Sequence, residues 1–93
     1  MITAVVLITA DRNSIPTLGE ALAAVDGVSE VYSVTGDVDF IALVRARRHE
    51  DLADIVTGGI GQVPGVARTQ THVAFRMHSR HDLESVFGLG GPA

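Results

Sequence analysis

The sequence has no cysteine, and only four of its 93 residues are aromatic. Without cysteine the chain forms no disulfide bond, thiolate nucleophile or cysteine-ligated zinc site. It also has no lysine: the 7 basic residues are all arginine, and against 11 acidic residues they give a formal charge of −4. Because a protein that binds duplex DNA needs a basic surface to displace counterions, this balance argues against direct binding of nucleic acid.

The sequence also lacks a segment typical of export or of membrane insertion. Met1–Ala10 is apolar, but no basic residue precedes it and it is far shorter than the roughly 20 residues of a membrane helix. We therefore predict that it is an N-terminal core strand, and that the protein is cytoplasmic without membrane contact.

Small aliphatic residues supply most of the hydrophobic content, which is 46% of the chain. A chain of 93 residues fits one domain. A domain of this size buries only about 60% of the surface that its unfolded chain exposes. We therefore expect some of the apolar surface to be buried against another chain.

The hydrophobic patterns predict the element order β-α-β-β-α-β. The predicted strands and helices are, in chain order, Ile2–Thr9, Ile15–Val25 (helix), Val28–Thr35, Val38–Arg45, His49–Val63 (helix) and Val66–Arg76. Between the second and third strands, Gly36-Asp37 favours a two-residue type II′ hairpin. Gly58-Gly59 indicates that the second helix is locally broken or that another backbone approaches closely.

The two halves of the chain resemble each other, since Val25–Val28 reappears as Val63–Val66. Two such βαβ units give an α+β, ferredoxin-like sandwich, with a four-stranded antiparallel sheet and both helices on one face. We assign residues 1–78 to this domain and residues 79–93 to a C-terminal extension, with a short helix at His81–Phe87 followed by a loose tail.

The central strands of this sheet lack the expected alternation of apolar and polar residues. A sheet covered by helices on one face should alternate, but Ile2–Thr9 and Val38–Val44 are apolar nearly throughout. Both faces of these strands therefore favour burial. The simplest arrangement is a second copy packed sheet to sheet across a two-fold axis, an isologous homodimer of the dimeric α/β-barrel type.

Two motifs on this framework carry a family resemblance. Val31–Phe40 is a strand–turn–strand with a Thr-Gly-x-x-Asp core, and Val63–Val66 is a helix end with Pro-Gly-Val, followed by Thr69-Gln70-Thr71. With the topology, they resemble the RAM domain, the effector-binding module of the Lrp/AsnC family of amino-acid-responsive regulators. Full-length members begin with a helix-turn-helix domain, whereas this chain begins at the first strand and resembles the stand-alone RAM proteins.

The resemblance implies a non-enzymatic module, without a cofactor, that senses an amino acid and assembles. It implies a homodimer that forms an octameric or decameric ring, with the effector between dimers and a full-length regulator of the family as a candidate partner. It assigns six residues to the effector site: Thr35, Gly36, Asp37, Asp39, Thr69 and Thr71.

The chemistry of these residues suits a zwitterion. Asp39 or Asp37 can accept hydrogen bonds from an ammonium group, and the peptide N–H groups around Gly36 can donate to a carboxylate. The same residues also have plain structural uses, because Gly-Asp suits any tight hairpin and threonine is a good strand former.

The sequence gives weaker support for other functions. His72, His78 and His81 are close together but lack the spacing of a zinc site on a helix, so no metal is expected. A cofactor-free enzyme of the dimeric α+β barrel superfamily shares this topology, but the apolar stripes of both predicted helices carry no histidine. An ACT-like regulatory domain, which also binds an amino acid on this topology, is a further alternative.

Overall fold

The computed structural model describes residues 1–80, and its regular elements follow the predicted order. The strands are β1 (Ile2–Ala10), β2 (Val28–Ser33), β3 (Phe40–Ala46) and β4 (Val66–Ala74), and the helices are α1 (Ile15–Ala23) and α2 (His49–Val56). Short 3₁₀ turns occur at Arg12–Ser14 and Ile60–Gln62. The predicted helix at His81–Phe87 and the tail lie outside the described residues, and the boundary at residue 78 stays a prediction.

The strands form one four-stranded sheet in the order β2-β3-β1-β4. All three pairings are antiparallel, and β1 is central, with Ile8 opposite Phe40 of β3 and opposite Thr69 of β4. This is the ferredoxin-like arrangement, and it confirms the predicted α+β class.

The core lies between the helices and one face of the sheet. It consists of alternate residues of the two central strands and of apolar residues from the helical segments: Ala4, Val6, Ile8, Phe40, Ala42, Val44, Ala46, Leu18, Leu22, Leu52 and Ile60. Among the residues that the structure describes, no polar or charged side chain is buried. Each large side chain here contributes roughly 1.5–3 kcal/mol by leaving water.

The connection between β2 and β3 differs from the predicted two-residue hairpin. It spans residues 34–39, and Val34 N donates to Asp39 O at 3.1 Å. Asp39 N donates to Ile8 O of β1 at 2.9 Å, so the end of the connection is joined to the central strand. Gly36 lies at its exposed tip with a φ of 112°. The predicted strands were therefore too long on both sides of this connection.

The second helix is also shorter than predicted, because it ends at Val56 rather than Val63. The first of the two explanations for the glycine pair is confirmed, whereas the close neighbour from another element is a side chain, not a backbone. The helix breaks there, and a Cβ atom on Gly59 would lie 2.6 Å from Val25 Cγ1 and 2.6 Å from Ile55 O. Both α1, which ends at Ala23, and β4, which ends at Ala74, are slightly shorter than predicted as well.

Gly65 and Gly36 form a matched pair for measuring how tightly the turn before β4 packs. Both have a positive φ, 104° and 112°, but a Cβ atom on Gly65 would lie 2.5 Å from Ser14 Cβ, whereas one on Gly36 meets nothing within 4 Å. We expect Gly36→Ala to cost about 1–2 kcal/mol of unfolding free energy from backbone strain alone. We expect Gly65→Ala to cost a further ~1–3 kcal/mol from the clash. Urea unfolding of the two variants measures this difference, and equal losses would contradict the close packing.

Candidate functional site

The C-terminal end of β1, residues 8–10, is where three parts of the chain meet. Asp39 N donates to Ile8 O at 2.9 Å, which attaches the β2–β3 connection. Asp11 N donates to Gly65 O at 2.7 Å, which attaches the turn before β4. We call this end of the sheet the β1 exit. It brings the sequence-predicted connection and the predicted β4 residues to the same end of the molecule.

Asp39 is fixed at the β1 exit by its side chain as well as by its backbone. Its Oδ2 atom accepts a hydrogen bond from Ala10 N at 2.8 Å, and the residue is half-buried. The pairing of β1 with β4 shifts register between Thr9 and Ala10. The carboxylate therefore satisfies a backbone donor at an irregular point of the central strand.

This structural role of Asp39 is one that the sequence reasoning missed. The apolar neighbours Val38 and Phe40 did indicate that Asp39 is more than a solvated side chain. Nothing in the sequence, however, pointed to Ala10 as its partner, 29 positions away.

The other predicted site residues lie in two groups. Thr35, Gly36 and Asp37 are exposed at the tip of the connection. Thr69 is half-buried and Thr71 is exposed, and their register with Ile8 and Val6 places both on the helix side of β4. The two threonines therefore share one face of their strand.

The two groups flank β1 rather than meeting. Strands β3 and β4 pair with opposite edges of β1. At the strand spacing of a sheet, these two strands are therefore about 10 Å apart. Asp39 bonds to Ile8 and Ala10 of β1, and Thr69 of β4 lies opposite Ile8. A small zwitterion that contacts both groups needs additional walls.

A groove with a volume of about 350 Å³ lies between α1 and β2. Polar and apolar groups share its walls: Ile15 and Ala23 lie on the helix, Val31 and Phe40 lie on the sheet, and Glu20 is its charged residue. We call it the α1–β2 groove. Ser33, which precedes the β2–β3 connection, lines it as well, but the six predicted site residues do not.

The sequence reasoning missed this groove, although small residues on α1 are a signal for it. A Cβ atom on Gly19 would lie 3.3 Å from Phe40 Cε1, so the helix closely approaches the sheet at this point.

The sheet face away from the helices is aliphatic at its centre. Val5 and Leu7 of β1 lie opposite Leu43 and Ile41 of β3, and all four are half-buried. Among residues 1–80, no helix covers this face, which we call the open sheet face. The lack of alternation in the central strands is therefore real, because their two faces are both apolar.

Tyr32 lies at the edge of the open sheet face, opposite Ile41, and is 49% exposed. Its hydroxyl group donates to Glu30 Oε2 at 2.9 Å. This hydrogen bond, together with the negative charge of the Glu30 carboxylate, raises the pKa of Tyr32 above its ordinary value.

Metal-binding clusters are absent from residues 1–80. In that range no three histidine, aspartate or glutamate side chains come close enough to hold a metal ion. None of the helices described is long and apolar enough to cross a membrane.

Comparison with known proteins identifies relatives of this chain. The family model described as the Lrp/AsnC ligand binding domain matches residues 3–83. A solved protein from Thermus thermophilus, TTHA0845, is 52% identical with a TM-score of 0.80, and the match covers 86% of this chain and 100% of that one. The feast or famine regulatory protein of M. tuberculosis, solved in complex with L-methionine, has a TM-score of 0.67 at 24% identity. That match covers 86% of this chain and 54% of the mycobacterial one.

The curated relatives are longer proteins. An uncharacterised HTH-type transcriptional regulator of Pyrococcus furiosus is 38% identical over 76 residues, which are 78% of this chain and 51% of the regulator. The chain thus spans about half the length of the curated relatives that it matches. The match is to a regulatory family and not to enzymes, which agrees with the prediction of a non-enzymatic module.

The hydrogen bond from Ala10 to Asp39 can be tested by substitution. We expect Asp39→Ala to cost about 1–3 kcal/mol of unfolding free energy, because it leaves a half-buried N–H without its acceptor. Asp39→Asn keeps an oxygen acceptor and should cost less. The control is Asp37→Ala at the exposed tip, expected to change stability by no more than about 0.5 kcal/mol. Urea unfolding, with amide exchange at Ala10, measures both effects, and an unchanged exchange rate in Asp39→Ala would contradict the bond.

Proposed function

The chain belongs to the family of Lrp/AsnC ligand-binding domains, and on that premise we propose that it is an amino-acid-sensing and assembly module of transcription regulation. The observation that carries the proposal is the match over residues 3–83 together with the geometry of the β1 exit. There, Asp39 joins the β2–β3 connection to β1 through hydrogen bonds with Ile8 and Ala10. The proposal has three parts: the effector, the dimer and the coupling between them.

The effector we propose is an amino acid. Two regulators with this fold support it, since those of M. tuberculosis and Neisseria meningitidis were solved with L-methionine. In this chain the residues for such a ligand are the six predicted ones. Asp39 or Asp37 accepts from the ammonium group, and the N–H groups around Gly36 donate to the carboxylate. Thr35, Thr69 and Thr71 supply hydroxyl groups that serve either end.

A second chain is needed to complete this site. Thr35, Gly36 and Asp37 are exposed on the β2–β3 connection, so residues 1–80 of one copy provide only part of a pocket. Small-molecule sites usually bury most of the ligand. The site therefore lies between copies of the chain, and ligand binding favours the assembly that places these copies together.

The dimer we propose forms through the open sheet face. Val5, Leu7, Ile41 and Leu43 present adjacent aliphatic side chains that the helices do not reach. Burial of such surface contributes about 25 cal/mol per Å² to the free energy of association. Across a two-fold axis, both copies bury the same surface. Further assembly of dimers, to an octamer or a decamer, then creates the boundaries at which the effector binds.

The mechanism that follows is linkage between effector binding and assembly. An effector shifts the equilibrium only by the difference in its affinity for the two states. By binding between copies, it stabilises the larger assembly and leaves the fold of each copy unchanged. A DNA-binding partner, such as a longer regulator of the same family, reads this state; the acidic charge of the chain, −4, does not favour DNA binding by the chain itself.

The effector can be found by measuring thermal unfolding with each of the twenty amino acids. At a hundred-fold excess over Kd, we expect a ligand to add about 2.7 kcal/mol of stability. In a domain of this size, that raises Tm by roughly 10 °C or more. Asp39→Asn, which keeps an acceptor for Ala10 but loses the charge, should remove the shift, whereas Asp54→Asn on the exposed side of α2 should retain it. No shift with any amino acid would contradict the proposed effector class.

The dimer can be tested on the open sheet face. We expect Leu43→Glu to weaken self-association by at least about 100-fold. Each copy would bury an unpaired carboxylate, which lowers the free energy of association by about a few kcal/mol. Leu43→Gln, which adds no charge, should weaken it less. Ala53→Glu, on the exposed side of α2, is the control and should leave the dimer intact. Sedimentation equilibrium gives the constants and circular dichroism reports the fold; a folded Leu43→Glu variant that still dimerises would contradict this interface.

A further inference from the structure

The open sheet face carries polar side chains of opposite kind at its two edges. On β4, His72 lies opposite Val5 of β1, and on β2, Glu30 lies opposite Leu43 of β3. Because Val5 also lies opposite Leu43, these four residues form one row across the sheet. Both end residues of the row are exposed. The row therefore has an imidazole at one edge, an aliphatic centre and a carboxylate at the other edge.

The two polar ends of this row are too far apart to pair within one chain. His72 and Glu30 lie on opposite edge strands, three strand spacings or about 14 Å apart. An ion pair requires a separation of roughly 4 Å or less between nitrogen and oxygen. Val5 and Leu43 fill the distance between them and offer no polar group. A contact between this histidine and this glutamate therefore requires a second copy of the chain.

The carboxylate at the β2 edge is held by a neighbour on the same face. Tyr32 follows Glu30 by two positions along β2, and its hydroxyl group donates to Glu30 Oε2 at 2.9 Å. We call these two residues the Tyr32–Glu30 pair. A carboxylate has two acceptor oxygens, so Glu30 Oε1 can accept a hydrogen bond from a further donor. The pair thus presents an oriented acceptor at the edge of the open sheet face.

A two-fold axis that packs two open sheet faces together allows two simple arrangements. In the first, like edges face each other, so that Glu30 approaches Glu30 of the second copy. Arg68, which is on the same face of β4 opposite Thr9, then approaches its own counterpart. In the second, the β4 edge of each copy faces the β2 edge of the other, and His72 approaches the Tyr32–Glu30 pair. Packed sheets are about 10 Å apart, which a histidine and a glutamate side chain span together. Because the second arrangement brings opposite charges together, charge complementarity favours it.

We propose that His72 of each copy contacts the Tyr32–Glu30 pair of the other copy, and that protonation of His72 strengthens the dimer. The inference rests on the proposed dimer through the open sheet face and adds the polar contact that controls its strength. The imidazolium group donates to the carboxylate, and the positive charge adds to the hydrogen bond. Around the two-fold axis the contact forms twice, so that both copies gain from each change in protonation.

The dependence of the dimer on pH has a defined direction. Histidine side chains ordinarily titrate near pH ~6.5, and the protonated form is the one that gains from a carboxylate. The stabilisation is therefore complete at lower pH and is lost as the pH rises through this range. The other ionisable groups of this face and of the segment beyond β4, within the described residues, are Arg45, Arg68, Glu30, Tyr32, Arg76, His78 and the amino group of Met1. Because some of these groups also respond to pH, the test compares variants.

Sedimentation equilibrium at about pH 6 and about pH 8, at one ionic strength, tests the contact. We expect the Kd of the unaltered dimer to be at least about five-fold lower at the lower pH. His72→Gln keeps a hydrogen-bonding side chain but takes no charge, so it should lose most of this difference. The controls are His49→Gln on α2 and His78→Gln beyond β4, which should keep it. The same pH dependence in His72→Gln, or none in the unaltered chain, would overturn the proposal.

A charge exchange then tests the identity of the partner. His72→Glu places a second carboxylate beside Glu30 of the other copy and should raise Kd by at least about ten-fold. Glu30→Arg in the same chain should recover most of this loss. Since the two positions lie at opposite edges of the sheet, recovery reports a contact between copies. Failure of the recovery, with circular dichroism showing that both variants are folded, would overturn the contact.

The outcome is distinguishable from a failure of the proposed dimer. If Leu43→Glu breaks the dimer while His72→Gln leaves its pH dependence unchanged, the interface stands and this contact alone is removed. If the dimer survives Leu43→Glu, the interface and the contact are removed together. Neither measurement requires an amino acid, so both are independent of the effector screen.

Discussion

The described structure depends on β1, which pairs with β3 along one edge and with β4 along the other. Its residues on the helix side, Ala4, Val6 and Ile8, are 0% exposed, so the core is built on this strand. Its other face carries Val5 and Leu7, which α1 and α2 leave uncovered. A central strand of this kind requires two apolar layers, but the described part of one copy supplies only one. The need for a second layer links the fold of the chain to its assembly.

The end of β1 imposes a second constraint, because the strand changes its pairing there. The register with β4 shifts between Thr9 and Ala10, and the Asp39 carboxylate accepts the hydrogen bond of Ala10 N. The β2–β3 connection is thereby anchored at its base while Gly36 remains exposed at its tip. A connection with a fixed base and an exposed polar tip is well suited to ligand recognition, because little conformational entropy is lost on binding.

Local patterns in the sequence predicted most of the fold but less of the site. Runs such as Val38–Val44 predict a doubly buried strand because the pattern is set by the residues themselves. The break at Gly58-Gly59 was likewise readable, since glycine disfavours a helix interior. The hydrogen bond between Ala10 and Asp39 was not, because it joins residues far apart in sequence at an irregular register. The α1–β2 groove also depends on how closely α1 approaches Phe40, a distance that no local pattern encodes.

These features agree with the role in regulation that we propose for this chain. Within residues 1–80 no helix covers the aliphatic face of the sheet, and a second copy can bury it. The folded form of each copy therefore changes little when copies associate, while the boundaries between copies change greatly. A ligand placed at such a boundary acts on assembly with its full binding energy, because none is spent on refolding the chain. In the proposed assembly, polar residues on the exposed connection and apolar residues on the sheet divide these tasks between separate surfaces. Each surface can thus change in sequence without loss of the core that β1 holds together.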